Sequence, residues 1–420
     1  GSRFKSCWGD WGQVLIKEDR SYCAPFLVEM MFKGLASRTR PVLASLAGRR
    51  TASTFQQLPF ACPPEYEKIA SRNPMKDRKC GIICTIGPKS WDPEVLVKLI
   101  DEGMGVMRCN MSHGDHAEQS MKLDNLEKAY AMRPEARGSV KILMDTRGPE
   151  IRTGKFEVYN EKKKLVAGQS FRLVCDNYEQ KGDENFVAIT YPQLWQDVKP
   201  GQVILVQDGT VMLEVTGSGK GYVDTKVLNN GRLGEKKNVN VPGVKINLPV
   251  VDEREIKDIL EWAVPNKADY IALSFVQCAQ DVLDCRKHCG DKMQIISKIE
   301  NVEGIRNFDE ILKVSDGIMV ARGDLGMEIP MEKIWMAQKW MVKKTRDAGK
   351  IAVTATEMLA SMEDKPFPTR AEACDVANAV LDGSTMVMLS GEVANGDFPV
   401  ETVTTMRRIV EETELALGGM

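Results

Sequence analysis

Three charged residues close two apolar, strand-like runs in the second half of the chain. Lys298 and Glu300 follow the run 293–297, and Asp324 follows the run 317–321. Side chains alternate along a strand, so Lys298 and Glu300 point to the same face. Mg²⁺ prefers oxygen ligands and usually needs only one or two carboxylates plus substrate oxygens. Because the sites of parallel sheets lie at the carboxyl ends of the strands, we expect Glu300 and Asp324 to bind a divalent cation there, with Lys298 beside a phosphate.

The composition is that of a globular protein with near-neutral charge. The chain has 420 residues, 43% of them hydrophobic, which allows two or three domains. Lys and Arg total 57 against 59 Asp and Glu, with no long basic block. No apolar run reaches the roughly 18 residues of a membrane helix. We therefore expect neither a nucleic acid nor a membrane as partner.

The 11 cysteines are an odd number without a Cys-x-x-Cys pair, and Cys80, Cys84 and Cys109 lie in apolar runs. This pattern predicts reduced, intracellular thiols. Only three histidines are present, which argues against a zinc site, and the helical spacing of Cys285 and Cys289 is typical of packing.

The N-terminal part, residues 1–75, is interpreted as an extension that does not begin with methionine. Its segment 31–64 has no acidic residue and mixes arginine and lysine with small and hydroxylated residues, as transit peptides do. An ordinary basic arm explains the same composition. The cytoplasm is the default location, and import into a mitochondrion or plastid is the alternative. Residues 1–30 receive no role.

From residue 80 onward the chain alternates apolar runs with amphipathic, helix-like stretches, which is typical of a parallel βα sheet. The runs are 80–86, 105–110, 140–145, 270–275, 293–299, 317–321, 351–354 and 385–389. Eight runs predict an α/β fold, the closed (β/α)8 TIM barrel, whose active site lies at the carboxyl ends of the strands. We assign residues 76–154 and 249–413 to this barrel.

Between the third and fourth runs, residues 155–248 change to short alternating segments separated by Gly-Asp, Asp-Gly and Asn-Gly turns. This texture predicts an inserted small antiparallel β-barrel domain. Inserted after a barrel strand, the domain would cover the catalytic rim as a lid that excludes water. Lys236 and Lys237 would face the cleft, although paired lysines in a loop are often only solvated.

Polar side chains end the second and third runs. Arg108, Asn110 and Ser112 share one strand face, whereas Cys109 and Met111 point to the helix layer. The planar fork of donors on Arg108 suits a phosphate.

Four oxygen-bearing side chains at these strand ends carry only one formal charge between them. They are Asn110, Ser112, Asp145 and Thr146. Such a set suits a weakly bound monovalent cation, and we predict a K⁺ site. In the alternative, Asn110 and Ser112 cap the following helix while Asp145 pairs with Arg147 or Arg152.

Three further features bear on the chemistry. The segment Gly323-Asp324-Leu325-Gly326 lets backbone amides approach an anion, so a substrate carboxylate could bind there. Thr356 is placed to relay a proton, although most threonines at strand ends cap helices. Ser390-Gly391-Glu392, after the eighth apolar run, would complete the ring of polar residues at the strand ends. No Gly-x-x-x-x-Gly-Lys-Ser/Thr loop occurs, which excludes a P-loop fold.

Six motifs follow one another in a specific order. They are CTIGP at 84–88, RCNMSHG at 108–114, DTRGPEIRTG at 145–154, ISKIEN at 296–301, MVARGDLG at 319–326 and PTRAE at 368–372. With these motifs the chain resembles pyruvate kinase from about residue 75 to about residue 413. The resemblance implies a glycolytic transferase that moves the phosphoryl group of phosphoenolpyruvate to ADP, giving pyruvate and ATP.

The family roles fall on residues singled out above. Glu300 and Asp324 would bind Mg²⁺, Lys298 would stabilise the phosphoryl group in transfer, Arg108 would bind phosphate and Thr356 would assist protonation of the enolate. Gly323 and Asp324 would contact the substrate. The residues implied for K⁺ are Asn110, Ser112, Asp145 and Thr146; those implied for the nucleotide are Asn110, His113, Arg152 and Lys237. Glu150 matches the residue of potassium-dependent members. A homo-oligomer through the barrel domain is expected.

Three departures from the family accompany the match. The family's usual chain continues with a C-terminal domain that carries an effector site, whereas this sequence stops at Met420. Glu357 replaces the usual Gln and Val393 the usual Thr. Two alternatives remain: a non-catalytic regulatory subunit or pseudoenzyme, and a carbon-carbon lyase that acts on pyruvate or phosphoenolpyruvate.

Overall fold

The computed structural model describes residues 78–158 and 161–417. These residues belong to one of the two units into which the chain divides, Ala61–Met420. The predicted extension 1–75, with its candidate targeting segment 31–64, lies outside the described residues.

Eight parallel strands close into a barrel in the order β1-β16-β15-β14-β13-β12-β3-β2. Their bounds are β1 Gly81–Thr85, β2 Val106–Asn110, β3 Lys141–Asp145, β12 Tyr270–Leu273, β13 Gln294–Ile299, β14 Gly317–Ala321, β15 Ile351–Ala355 and β16 Met386–Leu389. Every strand lies on one of the eight apolar runs, and the predicted barrel is confirmed. Strands that are buried on both faces read as continuous apolar runs, which is why the sequence marks them clearly.

Two apolar layers surround these strands. Inward-pointing residues such as Ile83, Val106 and Met319 fill the barrel itself. Outward-pointing residues, among them Cys109 and Met111, pack against the helices in a larger cluster. The predicted orientation of the β2 side chains is therefore confirmed.

Several helices begin at residues whose side chains cap them. Asp92 accepts a hydrogen bond from the backbone of Glu94 at the first helix, Asp115 caps the second, and Thr369 and Glu372 form a capping box. The helices of the barrel part are α1 Pro93–Asp101, α2 His116–Met132, α4 Glu253–Asp258, α5 Ala279–Cys289, α6 Val302–Arg306, α7 Phe308–Val314, α8 Arg322–Glu328, α9 Ile334–Asp347, α10 Arg370–Asp382, α11 Gly391–Ala394 and α12 Pro399–Ala416. A π-helical turn, Ile259–Ala263, extends α4.

The chain between β3 and α4 forms a second sheet with its own core. Its elements are β4 Lys163–Leu165, β5 Ser170–Val174, β6 Phe186–Ala188, α3 Leu194–Asp197, β7 Val203–Val206, β8 Val211–Gly219, β9 Tyr222–Val227, β10 Gly231–Leu233 and β11 Val239–Asn240. Six strands pair in the order β11-β7-β8-β9-β5-β6, and β10 pairs with β4. All pairs are antiparallel except β5 and β6, because the long connection between them returns the chain in the same direction. The domain boundaries proposed above stay a prediction.

All eight cysteines of the described ranges are free thiols, and Cys285 and Cys289 are buried in the large core. Within residues 78–158 and 161–417, none of the helices combines the length and the apolar character needed to cross a bilayer.

Candidate active site

The carboxyl ends of three barrel strands bring the predicted charged residues together. Arg108 lies on β2, Asp145 ends β3, and Lys298 lies on β13 with Glu300 just beyond it. Arg108 and Lys298 are each 8% exposed, and Asp145 and Glu300 are 1% or less. Such burial of four charges requires that they pair with one another.

Lys298 is the centre of this cluster. Its ammonium lies 3.0 Å from Asp145 Oδ1, 2.8 Å from Ser274 Oγ and 3.0 Å from Glu300 Oε1. Burial alone would lower the pKa of Lys298, but Asp145 and Glu300 outweigh it and raise the pKa above its ordinary value. The side chain therefore remains a cation at any physiological pH.

Asp145 links this lysine to Arg108. Arg108 Nε donates to Asp145 Oδ2 at 2.6 Å, and its Nη1 donates to Thr85 Oγ1 at 2.8 Å. Burial would raise the pKa of Asp145, yet Arg108 and Lys298 together lower it. The alternative in which Asp145 pairs with Arg147 or Arg152 is wrong. The two carboxylate oxygens of Asp145 accept from Arg108 and Lys298 instead.

Glu300 and Asp324 have the opposite electrostatic character. Burial raises the pKa of Glu300 to about 7 and also raises the pKa of the partly buried Asp324. Glu300 Oε2 accepts from the backbone of Phe275 at 2.6 Å. Oε1 lies near Lys298 in a geometry too poor for a hydrogen bond and has no hydrogen-bond partner. Two adjacent carboxylates with an orphan buried oxygen fit a divalent cation.

No group of three or more His, Cys, Asp or Glu within the described residues could hold a metal ion by itself. A cation at Glu300 and Asp324 would therefore need further oxygens from water or substrate, as Mg²⁺ usually has.

The predicted monovalent-cation residues lie beside the same cluster. Asn110 is the register partner of Asp145, and Asn110 Oδ1 accepts from the backbone of Ser112 at 3.0 Å. Thr146 Oγ1 accepts from the backbone of Ser274 at 2.9 Å. The alternative in which Asn110 and Ser112 cap the next helix is wrong, because Asp115 caps α2.

Thr356 and Gly323 are joined directly. The Thr356 hydroxyl accepts from the backbone of Gly323 at 2.7 Å and donates to the carbonyl of Ala355 at 2.6 Å. This N–H of the expected anion-binding segment is thus already paired. Next to Thr356, Glu357 is exposed, whereas Val393 is fully buried in the core.

A cavity of about 300 Å³ separates the barrel from the second sheet. It is lined by Arg152, Lys236, Lys237, Asp208 and Asp324, among others. The two lysines therefore face the cleft as expected. Arg152 also pairs with Glu150, whose pKa burial raises.

Not every predicted nucleotide residue lines this cavity. Asn110 and His113 lie outside it, and Ser112 joins Arg152 in a neighbouring cavity of about 370 Å³. Burial and the charges of Arg152 and Arg108 lower the pKa of His113, so its imidazole is neutral at pH 7.

Two residues of the cluster were missed at the sequence level. Ser274 accepts from Lys298 and donates to the carbonyl of Thr146 at 2.7 Å. It lies at the end of the fourth apolar run, directly after β12, so the rule that found the other residues could have found it. Phe275, which presents its N–H to Glu300, has a left-handed backbone conformation with φ 55°. No sequence signal indicates such a conformation at a phenylalanine.

Comparison with known proteins gives one consistent result. The family model "Pyruvate kinase, barrel domain" matches residues 77–403. A pyruvate kinase of Eimeria tenella is 52% identical over 336 residues, which are 79% of this chain and 62% of that protein. A cytosolic isozyme of pyruvate kinase from Solanum tuberosum is 48% identical over 346 residues, which are 81% of this chain and 67% of that protein.

The crystal structure of a pyruvate kinase from Cryptosporidium parvum superposes with a TM-score of 0.79 at 46% identity, covering 84% of this chain and 73% of that one. The matched part of the chain covers 62% of the Eimeria protein, which is less than two thirds of its length. Since the family model covers most of the residues and the relatives share about half of them, this chain belongs to the pyruvate kinase family.

Proposed function

We propose that this chain transfers the phosphoryl group of phosphoenolpyruvate to ADP and so forms pyruvate and ATP in the last step of glycolysis. The observation that supports it most is the buried Lys298, held by Asp145 and Ser274 beside Arg108 and a carboxylate pair. The relatives named above carry the name of this activity.

Phosphoryl transfer needs mainly positioning and electrostatic stabilisation. Arg108 would bind the phosphate with the guanidinium nitrogens that its bonds to Asp145 and Thr85 leave over. Lys298 would stabilise charge on the phosphoryl group as it moves between the two substrates. Asp145 and Ser274 hold the ammonium in place, so little reorganisation is required at the moment of transfer.

Two cations are part of the proposal. Glu300 and Asp324 would hold Mg²⁺, which would supply the positive charge that offsets the negative charge of the transferring phosphoryl group. Asn110, Ser112, Asp145 and Thr146 would hold K⁺. The raised pKa of both Glu300 and Asp324, caused first by burial, supports a cation there, because a bound cation would favour their ionised forms.

Thr356 would assist protonation of the methylene carbon of the enolate. The backbone N–H of Gly323 fixes the hydroxyl oxygen, and the hydroxyl proton points to the carbonyl of Ala355. To deliver the proton, the hydroxyl has to rotate from this carbonyl towards the substrate while its oxygen stays in place.

The nucleotide would bind along the cleft between barrel and second sheet, with Arg152 and Lys237 on its phosphates and Asn110 and His113 as further contacts beyond the cavity. The neutral imidazole of His113 suits contact with a base or a ribose. Gly323 and Asp324 would contact the carboxylate side of phosphoenolpyruvate.

We also propose a homo-oligomer formed through the barrel and, as in the cytosolic isozyme of Solanum tuberosum, a cytoplasmic location. Import directed by segment 31–64 is the alternative. Large apolar side chains on and before α9 support the oligomer: Met331, Trp335 and Met336 are 64%, 57% and 48% exposed.

The proposal is tested by coupled pyruvate production from phosphoenolpyruvate, ADP and Mg²⁺, with and without K⁺. We expect turnover by the wild-type chain and a loss of roughly a hundred- to a thousand-fold in Lys298→Met, the usual effect of removing one electrostatic donor. Lys163→Met is the matched control, since the Lys163 side chain is 13% exposed and pairs with Glu161 far from the cluster. Full activity of Lys298→Met, or equal loss in both variants, would refute the role of Lys298.

A further inference from the structure

A buried carboxylate outside the charged cluster connects three elements of the barrel. Asp258 is the last residue of α4, and its side chain is only 4% exposed. Its Oδ1 lies 2.6 Å from His116 Nε2 at the start of α2. Its Oδ2 accepts from Arg147 Nη1 at 2.7 Å. Asp258 thus fixes the orientation of the Arg147 guanidinium.

That arginine joins the two strand ends of the proposed K⁺ site. Arg147 directly follows Thr146, and its Nε donates to the carbonyl of Met111 at 2.6 Å. Met111 lies between Asn110 and Ser112. One guanidinium therefore ties the segment that ends β2 to the segment that ends β3, and both segments carry proposed K⁺ ligands.

A second carboxylate of the same helix holds the neighbouring residue. Glu255 precedes Asp258 by three positions and so lies on the same face of α4. Glu255 Oε1 accepts from the backbone of Gly148 at 3.2 Å. Two carboxylates of α4 thus accept hydrogen bonds from the side chain of Arg147 and from the backbone N–H of Gly148. The π turn after α4 adds a bond to α2, in which Trp262 Nε1 donates to Ser120 Oγ at 3.1 Å.

We propose that Asp258 is a positioning residue for the monovalent cation, acting through Arg147 on the spacing between the β2 and β3 strand ends. This inference rests on the proposed function, which places K⁺ between those ends. A weakly bound cation held by neutral oxygens and one carboxylate depends strongly on the spacing of its ligands. Partners behind the ligands typically change metal affinity by 10- to 100-fold when they are lost.

If Asp258 only stabilised the fold, its loss would have different effects. Loss of the Asp258 carboxylate would then lower the stability of the fold and reduce activity at saturating cation, but the half-saturating concentration of K⁺ would stay the same. The test therefore measures cation affinity separately from stability and from turnover.

Asp258→Asn removes the charge behind Arg147, and Arg147→Lys keeps a charge but cannot bind Met111 and Asp258 with one planar fork. Asp382→Asn is the matched control, because the Asp382 side chain is 6% exposed and accepts from Gln338 on the far helix α9. For each variant, the shift of the thermal midpoint is followed against K⁺ at constant ionic strength, with tetramethylammonium as the replacing ion. The half-saturating K⁺ and Mg²⁺ for turnover are measured in parallel.

We expect Asp258→Asn and Arg147→Lys to raise the half-saturating K⁺ roughly tenfold in both readouts, with the Mg²⁺ value and the control unchanged. If the wild type responds to K⁺ and neither variant shifts the K⁺ value, or if Mg²⁺ shifts equally, the inference is overturned. If Asp258→Asn does not fold, the milder Arg147→Lys decides. If the wild type shows no K⁺ effect in either readout, the cation site of the proposed function fails and the inference falls with it.

Discussion

At the scale of single residues, the pKa shifts separate two kinds of carboxylate within one cluster. Asp145 has a lowered pKa because Arg108 and Lys298 outweigh its burial. Glu300 and Asp324 have raised pKa values, since burial is stronger than the single lysine they share. Carboxylates pushed in opposite directions indicate different roles. Asp145 is a fixed anion that holds two cationic side chains, whereas Glu300 and Asp324 have less positive charge near them than their two carboxylates would need to offset burial.

Glu328, on the helix that carries Asp324, gives a prediction for stability against pH. It lines the cleft and accepts from the backbone of Gly243 and the side chain of Asn240. Burial raises the pKa of Glu328 to about 7 despite these bonds. The folded state therefore binds more protons than the unfolded state, and this contribution to stability, complete below about pH 4.5, is lost as the pH rises through 7.

Glu328→Gln cannot ionise and keeps an acceptor for both bonds. We expect the variant to match the wild type near pH 4.5 and to exceed it at pH 8, by at most about 3 kcal/mol at 1.36 kcal/mol per pKa unit. Urea unfolding at the two pH values measures the difference. Glu401→Gln, an exposed change on α12, controls for the loss of one charge. A constant difference between wild type and Glu328→Gln across this range would contradict the shift.

The same scale shows what the sequence could reveal about the site. Lys298, Glu300, Asp145 and Arg108 were predictable because each ends an apolar run, and parallel strands bring such ends together. Asp258 was not, because it lies inside a helix and its partners are 111 and 142 positions away in the chain. Long-range pairs of this kind depend on the packing of helices against the barrel, which a local pattern does not encode.

At the scale of elements, the eight barrel strands could be predicted because burial on both faces leaves long apolar runs. The second sheet was predictable as a class from its alternation and its turns. Its parallel β5–β6 pair was not, because pairing direction depends on where the connection returns. The π turn 259–263 also has no local signal, since its sequence continues the helical pattern of α4.

The helix end at Gly383 gives a prediction for stability. Gly383 follows α10 with φ 105°, and an added Cβ would clash with Arg346 Cδ. Gly138 has φ 80°, but nothing lies within 4 Å of an added Cβ. The left-handed conformation costs a residue with a side chain about 1–2 kcal/mol. Gly138→Ala should lose about that much free energy of unfolding, and Gly383→Ala more, because Arg346 must also move.

Denaturant unfolding of the two alanine variants measures the comparison. Both positions carry backbone strain, which is greater at φ 105° than at φ 80°, so the excess loss in Gly383→Ala reports this added strain together with the contact with Arg346. Equal losses would mean that the flexible arginine moves away at no cost.

At the scale of the whole molecule, the site lies where the barrel and the second sheet face one another. The barrel supplies the charged cluster, and the second sheet adds Asp208, Lys236 and Lys237 across the cleft. Thr153 joins the two parts, because its hydroxyl accepts from the backbone of Lys237 at 2.8 Å and its N–H donates to the same residue's carbonyl. The sequence predicted the insertion from the change in texture, but the cleft residues of the second sheet only in part, because Asp208 lies in an ordinary-looking Asp-Gly turn.

The α9 patch, defined as Met331, Trp335 and Met336, tests the proposed assembly of whole molecules. Monomeric proteins rarely expose several large apolar side chains on one short segment. If the patch is buried between copies of this chain, Trp335→Glu together with Met336→Glu introduces charges into an apolar contact, and the assembly should dissociate. Sedimentation velocity over a range of protein concentrations measures the effect.

Met132→Glu is the matched control for that experiment, because Met132 is 50% exposed at the end of α2, away from α9. The barrel itself should remain folded in all variants, since exposed positions tolerate charge with little change in stability. We therefore expect smaller species for the α9 variant alone, with unchanged unfolding midpoints. An unchanged sedimentation coefficient in the α9 variant, or an equal decrease with Met132→Glu, would place the contact between copies elsewhere on the barrel.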